Sequence, residues 1–119
     1  MQRTIALATA ALIVVGCATI HGARRDHTEQ VIRVTAKKFE YTPSEITVKK
    51  GVPVVLEITS LDRHHGFQLR EFGVRADIKP GEVTRVRIEP EKTGRFPFEC
   101  DVFCGSGHED MSGELIVVD

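Results

Sequence analysis

From Gln30 to the C-terminus, the chain runs in short stretches of alternating or continuous apolar residues, each closed by turn-forming ones. Val31-Ile32-Arg33-Val34-Thr35-Ala36 is rich in β-branched side chains, which suit a pleated surface. Ile46 and Val48 alternate with Thr47 and Lys49 before Gly51 turns the chain. Val52 to Ile58 is nearly all apolar or β-branched, the pattern of a strand buried inside a sandwich. His65 to Leu69, Val83 to Ile88, Arg95 to Cys100 and Glu114 to Val118 continue the series. Pro43-Ser44, Lys79-Pro80-Gly81 and Lys92-Thr93-Gly94 supply turns between them. About seven short strands at this spacing predict an all-β domain, an antiparallel β-sandwich with Greek-key connections. No stretch sustains a helical period, and no internal repeat is present.

Before residue 30 the pattern changes. Met1-Gln2-Arg3 is a short positive start, and Ile5 to Val15 is an uncharged, largely apolar run. That run falls short of the ~20 residues that span a bilayer, so it predicts the core of an export signal over residues 1–16. Its end, Val14-Val15-Gly16-Cys17, resembles a bacterial lipobox, which implies cleavage before Cys17 and a lipid on its sulfur. The alternative is an ordinary cleaved signal, cut near Ala18 or Ala23, with Cys17 incidental. Residues 17–29 are then a polar tether, with His21 and His27 as solvated linker side chains, and 30–119 form the folded domain. The expected location is periplasmic, or the outer face of a bacterial membrane held by the lipid.

Composition narrows the function classes. At 119 residues there is room for one domain. A formal net charge of −1, no Trp and one Tyr offer neither a basic footprint nor a stacking platform for nucleic acid. Three cysteines are present, so a lipidated Cys17 leaves Cys100 and Cys104 as one close pair. In an exported protein such a pair is a disulfide or a metal site.

The residues around the pair point to metal. Cys100, Cys104, His108 and Met111 follow one another within a single segment, Glu99-Cys100-Asp101-Val102-Phe103-Cys104-Gly105-Ser106-Gly107-His108-Glu109-Asp110-Met111. Thiolate and thioether are soft donors that favour copper, and imidazole suits it too. Gly105 and Gly107 allow the segment to fold back so that its donors converge. Cys-x-x-x-Cys alone says little; followed by His and Met at these spacings, after a strand, it describes a soft-metal loop. Strand alternation adds a donor from upstream. His65, Phe67 and Leu69 share one face, the core face, whereas His64 falls with Gly66, Gln68 and Arg70 toward solvent. His65 is therefore the candidate ligand and His64 a surface residue.

Phe39-x-Tyr41-x-Pro43-x-x-Ile46-x-Val48-x-x-Gly51, Asp62-x-x-His65-Gly66-Phe67, the cysteine loop and Met111-x-Gly113-x-Leu115 together resemble the cupredoxin superfamily across residues 30–119. Within it, they are similar to the CuA domain of cytochrome oxidase subunit II and nitrous oxide reductase. The resemblance implies two coppers bridged by the sulfurs of Cys100 and Cys104. It implies one imidazole on each copper, from His65 and His108, with Met111 and the Val102 backbone carbonyl as weak outer ligands. It also implies an electron carrier rather than an enzyme. Such a carrier would serve a respiratory chain, with a c-type cytochrome or another cupredoxin as redox partner and no small-molecule substrate. The chain departs from the oxidase pattern in three ways. Val102 stands where the oxidase subunit usually has a magnesium-reaching Glu, the subunit's membrane-spanning helices have no counterpart here, and its docking Trp is missing.

Four alternatives stay open. A mononuclear blue-copper site could use His65, Cys104, His108 and Met111, with Cys100 a bystander. A copper delivery or storage protein for oxidase assembly could use the same donors. The plainer readings are a Cys100–Cys104 disulfide, which leaves His108 and Met111 without a role, and a Cys2His2 zinc site, which does not need Met111.

Overall fold

Residues 29–119 are described by a computed structural model. Nine strands form: β1 (Gln30–Lys37), β2 (Glu40–Thr42), β3 (Glu45–Lys49), β4 (Val54–Ser60), β5 (His65–Leu69), β6 (Val74–Ile78), β7 (Thr84–Ile88), β8 (Gly94–Glu99) and β9 (Ser112–Val118). The only helical pieces among the described residues are 3-10 turns at Arg70–Phe72 and His108–Asp110. No helix among these residues is long and apolar enough to cross a membrane. The expected export signal, Cys17 and the tether lie outside the described residues, apart from Glu29.

The strands divide between two sheets, ordered β2-β1-β4-β7 and β3-β9-β8-β5-β6. This is the β-sandwich that the alternation predicts. It departs from the expected antiparallel arrangement in two pairings, β1 with β4 and β3 with β9, which run parallel. Both follow from the path of the chain. It leaves the first sheet after β2, adds β3 to the second sheet, and returns to place β4 beside β1. Strands joined through the opposite sheet are free of the hairpin geometry that enforces antiparallel pairing.

Each sheet buries every second residue. Val54, Leu56 and Ile58 of β4, Ile46 and Val48 of β3, and Leu115 and Val117 of β9 face inward, with their alternate neighbours less buried. Each such side chain contributes roughly 1.5–3 kcal/mol on leaving water. Near one end, Tyr41, Phe67 and Phe98 make an aromatic cluster with centroids 5.0 to 6.1 Å apart. Two of its contacts are edge-on, the geometry that ring quadrupoles prefer. Three connections meet at this end: Lys38–Phe39 between β1 and β2, 61–64 between β4 and β5, and Cys100–Met111 between β8 and β9.

Candidate metal centre

The loop that carries most of the chemistry is shaped by its own backbone. The Cys100 N–H donates to the Met111 carbonyl at 3.1 Å, so the loop leaves and re-enters the sheet at one point. His108, Asp110 and Met111 donate in turn to Gly105, Gly107 and His108, forming the 3-10 turn that aims His108 and Met111 inward. Phe39 supports it from below. A Cβ at Gly105 or Gly107 would run into the Phe39 ring, and Gly105 also takes a positive φ of 137°. The two glycines are therefore required by close packing as well as by the turn.

Within this frame the sequence-predicted donors come together. Cys100 Sγ lies 3.6 Å from Cys104 Sγ, and both thiols are free and buried. Cys104 Sγ is 3.6 Å from His108 Nδ1 and 3.8 Å from Met111 Sδ. The Cys100 thiol donates to the Val102 carbonyl at 3.1 Å, which directs that oxygen toward the cluster. From β5, His65 completes the group: donor atoms of His65, Cys100 and Cys104 all lie within 4.8 Å of one another. His65 is fully buried, whereas the His64 side chain is 41% exposed and bonds to Asp77 at 3.1 Å. The alternation argument separated the two histidines correctly.

The histidine's ring is held from behind. His65 Nε2 meets Asp62 Oδ1 at 2.7 Å. Desolvation, the largest single influence on Asp62, opposes ionisation. The Lys38 N–H, the His65 ring and the Arg63 N–H outweigh it together and hold the carboxyl down at about 2. An ionised carboxylate only accepts, so Nε2 donates to it, which leaves Nδ1 as the ring nitrogen available to a metal. That Nδ1 is a buried polar atom without a hydrogen-bond partner, a costly arrangement for a ring with no further role. A carboxylate behind a ligating imidazole is the usual support of a metal-binding histidine. Asp62→Asn is accordingly expected to weaken copper binding by roughly 10–100-fold with the fold retained, read by competition against a copper chelator.

Burial pushes the Cys104 thiol up to about 11, and the adjacent Cys100 adds to this. The Cys104 thiol thus keeps its proton in the metal-free protein near neutral pH, and a metal must displace that proton on binding. Tyr41, whose phenol burial and the neighbouring thiols hold well above its ordinary value, donates to the Gly66 carbonyl at 2.6 Å. The Gly66 N–H in turn donates to Cys100 Sγ at 3.3 Å. Asp62, Tyr41 and Gly66 were not assigned roles from sequence, although the Asp62-x-x-His65 spacing carried the signal for the first. Of the donor side chains, His108 is the one left half-buried, and its ring lies 5.7 Å from that of Phe103, which is 72% exposed.

A set of two thiols, two imidazoles and a thioether, all buried but His108, suits a soft metal such as copper. On a two-sheet β frame, it defines the cupredoxin class of metal-binding domain. The chain belongs to the cupredoxin-like family, whose domain matches residues 7–117. Cytochrome c oxidase subunit 2 of Thermus thermophilus is 35% identical over 89 residues, covering 75% of this chain and 66% of that one. Nitrous-oxide reductase of Pseudomonas fluorescens is 29% identical over 97 residues, covering 78% of this chain and 15% of the enzyme. The chain thus spans two thirds or less of the length of these relatives. Among solved structures, the periplasmic domain of subunit II of cytochrome oxidase from Bradyrhizobium japonicum superposes with a TM-score of 0.71 at 24% identity. That match covers 76% of this chain and 84% of the domain, and it shows the common fold.

Proposed function

We propose that the protein is a copper-binding electron carrier with a binuclear CuA-type centre. The observation that carries this is the pair of free, buried thiols 3.6 Å apart, with a ring nitrogen of His65 within 4.8 Å of both, its Nδ1 unpartnered, and His108 and Met111 beside Cys104. Cys100 and Cys104 would bridge the metals, His65 and His108 would each hold one, and Met111 and the Val102 carbonyl would act as weak outer ligands. Copper held there accepts and releases one electron. The protein's part is to keep the donors still, which dense packing and the hydrogen bonds behind His65 and Cys100 do. Buried ligands leave no open position for a substrate, so the site suits transfer rather than catalysis. His108, half-buried beside exposed Phe103, brings the centre nearest to solvent and is where a c-type cytochrome or another cupredoxin would approach. Fully loaded protein is expected to hold two coppers per chain and show a mixed-valence absorption and paramagnetic spectrum. A single copper at saturation would sink the binuclear reading.

A specific observation supports a second reading. Cys104 alone has both His108 Nδ1 and Met111 Sδ as neighbours, which matches a mononuclear blue-copper set completed by His65. Copper delivery to an oxidase would use the same donors and differ in releasing the metal readily to a partner.

The relatives include a cytochrome c oxidase subunit 2 and a nitrous-oxide reductase, and their likeness supports our inference of a respiratory setting outside the cytoplasm. The Val14-Val15-Gly16-Cys17 motif supports export followed by lipid anchoring at Cys17. Cys17→Ser is expected to move the protein from the membrane fraction. A variant that stays membrane-bound would show that the apolar segment, and not the lipid, is the tether.

A further inference from the structure

We propose that Arg75 is a positioning residue of the metal centre, acting through Asp101 to pin the start of the cysteine loop against β5. The inference rests on the metal-binding reading of Cys100 and Val102, the residues on either side of Asp101. Asp101 lies across the outer face of Gly66 so closely that a Cβ at Gly66 would collide with its carboxylate. From the adjacent edge strand β6, Arg75 reaches over the same spot. Its Nε donates to Asp101 Oδ2 at 2.5 Å, and its Nη2 donates to Asp101 Oδ1 at 3.2 Å and to Asp77 Oδ1 at 2.9 Å. The register explains the reach: Gly66 pairs with Asp77 and Gln68 with Arg75, so the missing side chain at Gly66 opens a slot that Asp101 fills.

Gly66 is therefore gripped from both sides. Outside is the Asp101–Arg75 fork; inside, its N–H holds Cys100 Sγ at 3.3 Å. The turn Cys100–Val102, which carries one bridging thiol and the carbonyl, is fixed to β5 beside His65 by these two contacts. A planar guanidinium holding a carboxylate through two donors specifies orientation as well as distance, which an ammonium does not. Arg75 is 44% exposed while Asp101 is 16% exposed, so the pair adds little to global stability and its effect falls on the loop.

The test uses the full chain with Arg75→Gln, Asp101→Asn, the double variant and Arg75→Lys. In metal-free protein, alkylation of Cys100 and Cys104 is followed residue by residue by mass spectrometry. In copper-loaded protein, the visible and paramagnetic spectra are compared. Arg75→Gln and Asp101→Asn are each expected to speed alkylation by about fivefold, the equivalent of losing one exposed charge-pair contact. Each should alter the spectrum, with the double variant no worse than either single one and Arg75→Lys restoring part of the wild-type behaviour. A purely electrostatic influence on thiolate formation would instead slow alkylation in Arg75→Gln and speed it in Asp101→Asn. Opposite signs, additive effects, or wild-type alkylation and spectrum in Arg75→Gln would overturn the proposal. A wild-type protein saturating at one copper would overturn the binuclear reading alone, because the alkylation comparison is made without metal.

Discussion

Cys100→Ser is expected to reduce the copper content from two ions to at most one and to change the visible spectrum, while the domain stays folded. A hydroxyl is a hard, weakly acidic group and a poor bridge between coppers, so each metal loses a bond. The fold should tolerate the change because Ser nearly matches Cys in size. Its O–H can also donate to the Val102 carbonyl that the thiol now contacts at 3.1 Å. The surviving His65, Cys104, His108 and Met111 still constitute a blue-copper donor set. If the site were mononuclear from the outset, Cys100 would be only a packed thiol at the end of β8. Both metal content and spectrum would then be nearly unchanged. Copper analysis with absorption spectroscopy on the variant decides between the two, and a retained wild-type spectrum ends the CuA assignment.

His65→Ala is expected to abolish tight copper binding, whereas His64→Ala should leave copper content and spectrum close to wild type. The two residues are adjacent in sequence and opposite in environment. His65 is wholly buried, hydrogen-bonded to Asp62 through Nε2, with Nδ1 left unpartnered and the ring beside the two thiols. Removing it takes away a ligand and strips Asp62 of a partner. His64 is partly exposed, and its bond to Asp77 is a surface one that Arg75 also serves. Surface substitutions of this kind shift stability by under ~0.5 kcal/mol. Copper titration of the two variants under identical conditions checks this, and equal losses would refute the assignment of His65 as the ligand.

Much of the site was legible in the sequence because its donors are local. Cys100, Cys104, His108 and Met111 sit on one connection between strands, and spacing alone is enough to bring such residues near one another. His65 was legible for a different reason: β-strands expose alternate residues to opposite faces, so Phe67 and Leu69 identify the core side. The same alternation located seven of the strands. β2, at Glu40–Thr42, is too short to show a period, whereas β6 carries the alternation in full, Val74, Ala76 and Ile78 with Arg75 and Asp77 between them, and was passed over. Its charged residues sit on an edge strand, where they protect against unwanted pairing.

Which strand pairs with which lay beyond the pattern. A period of two specifies the face of every side chain and is identical for parallel and antiparallel neighbours, so the pairings β1 with β4 and β3 with β9 emerged only from the path of the chain. The supports of the site were hidden for a related reason. Tyr41 against the Gly66 carbonyl, Phe39 under Gly105 and Gly107, and Arg75 on Asp101 each join residues far apart in sequence. Composition and spacing report what lies along one segment. Contacts between segments depend on the stacking of two sheets and on the register of each strand, and these are set by packing across the whole domain. The types and order of the candidate donors are thus properties of the sequence, while the burial of His65 against Asp62, the placement of Asp101 and the fold of the loop are decided by the tertiary structure.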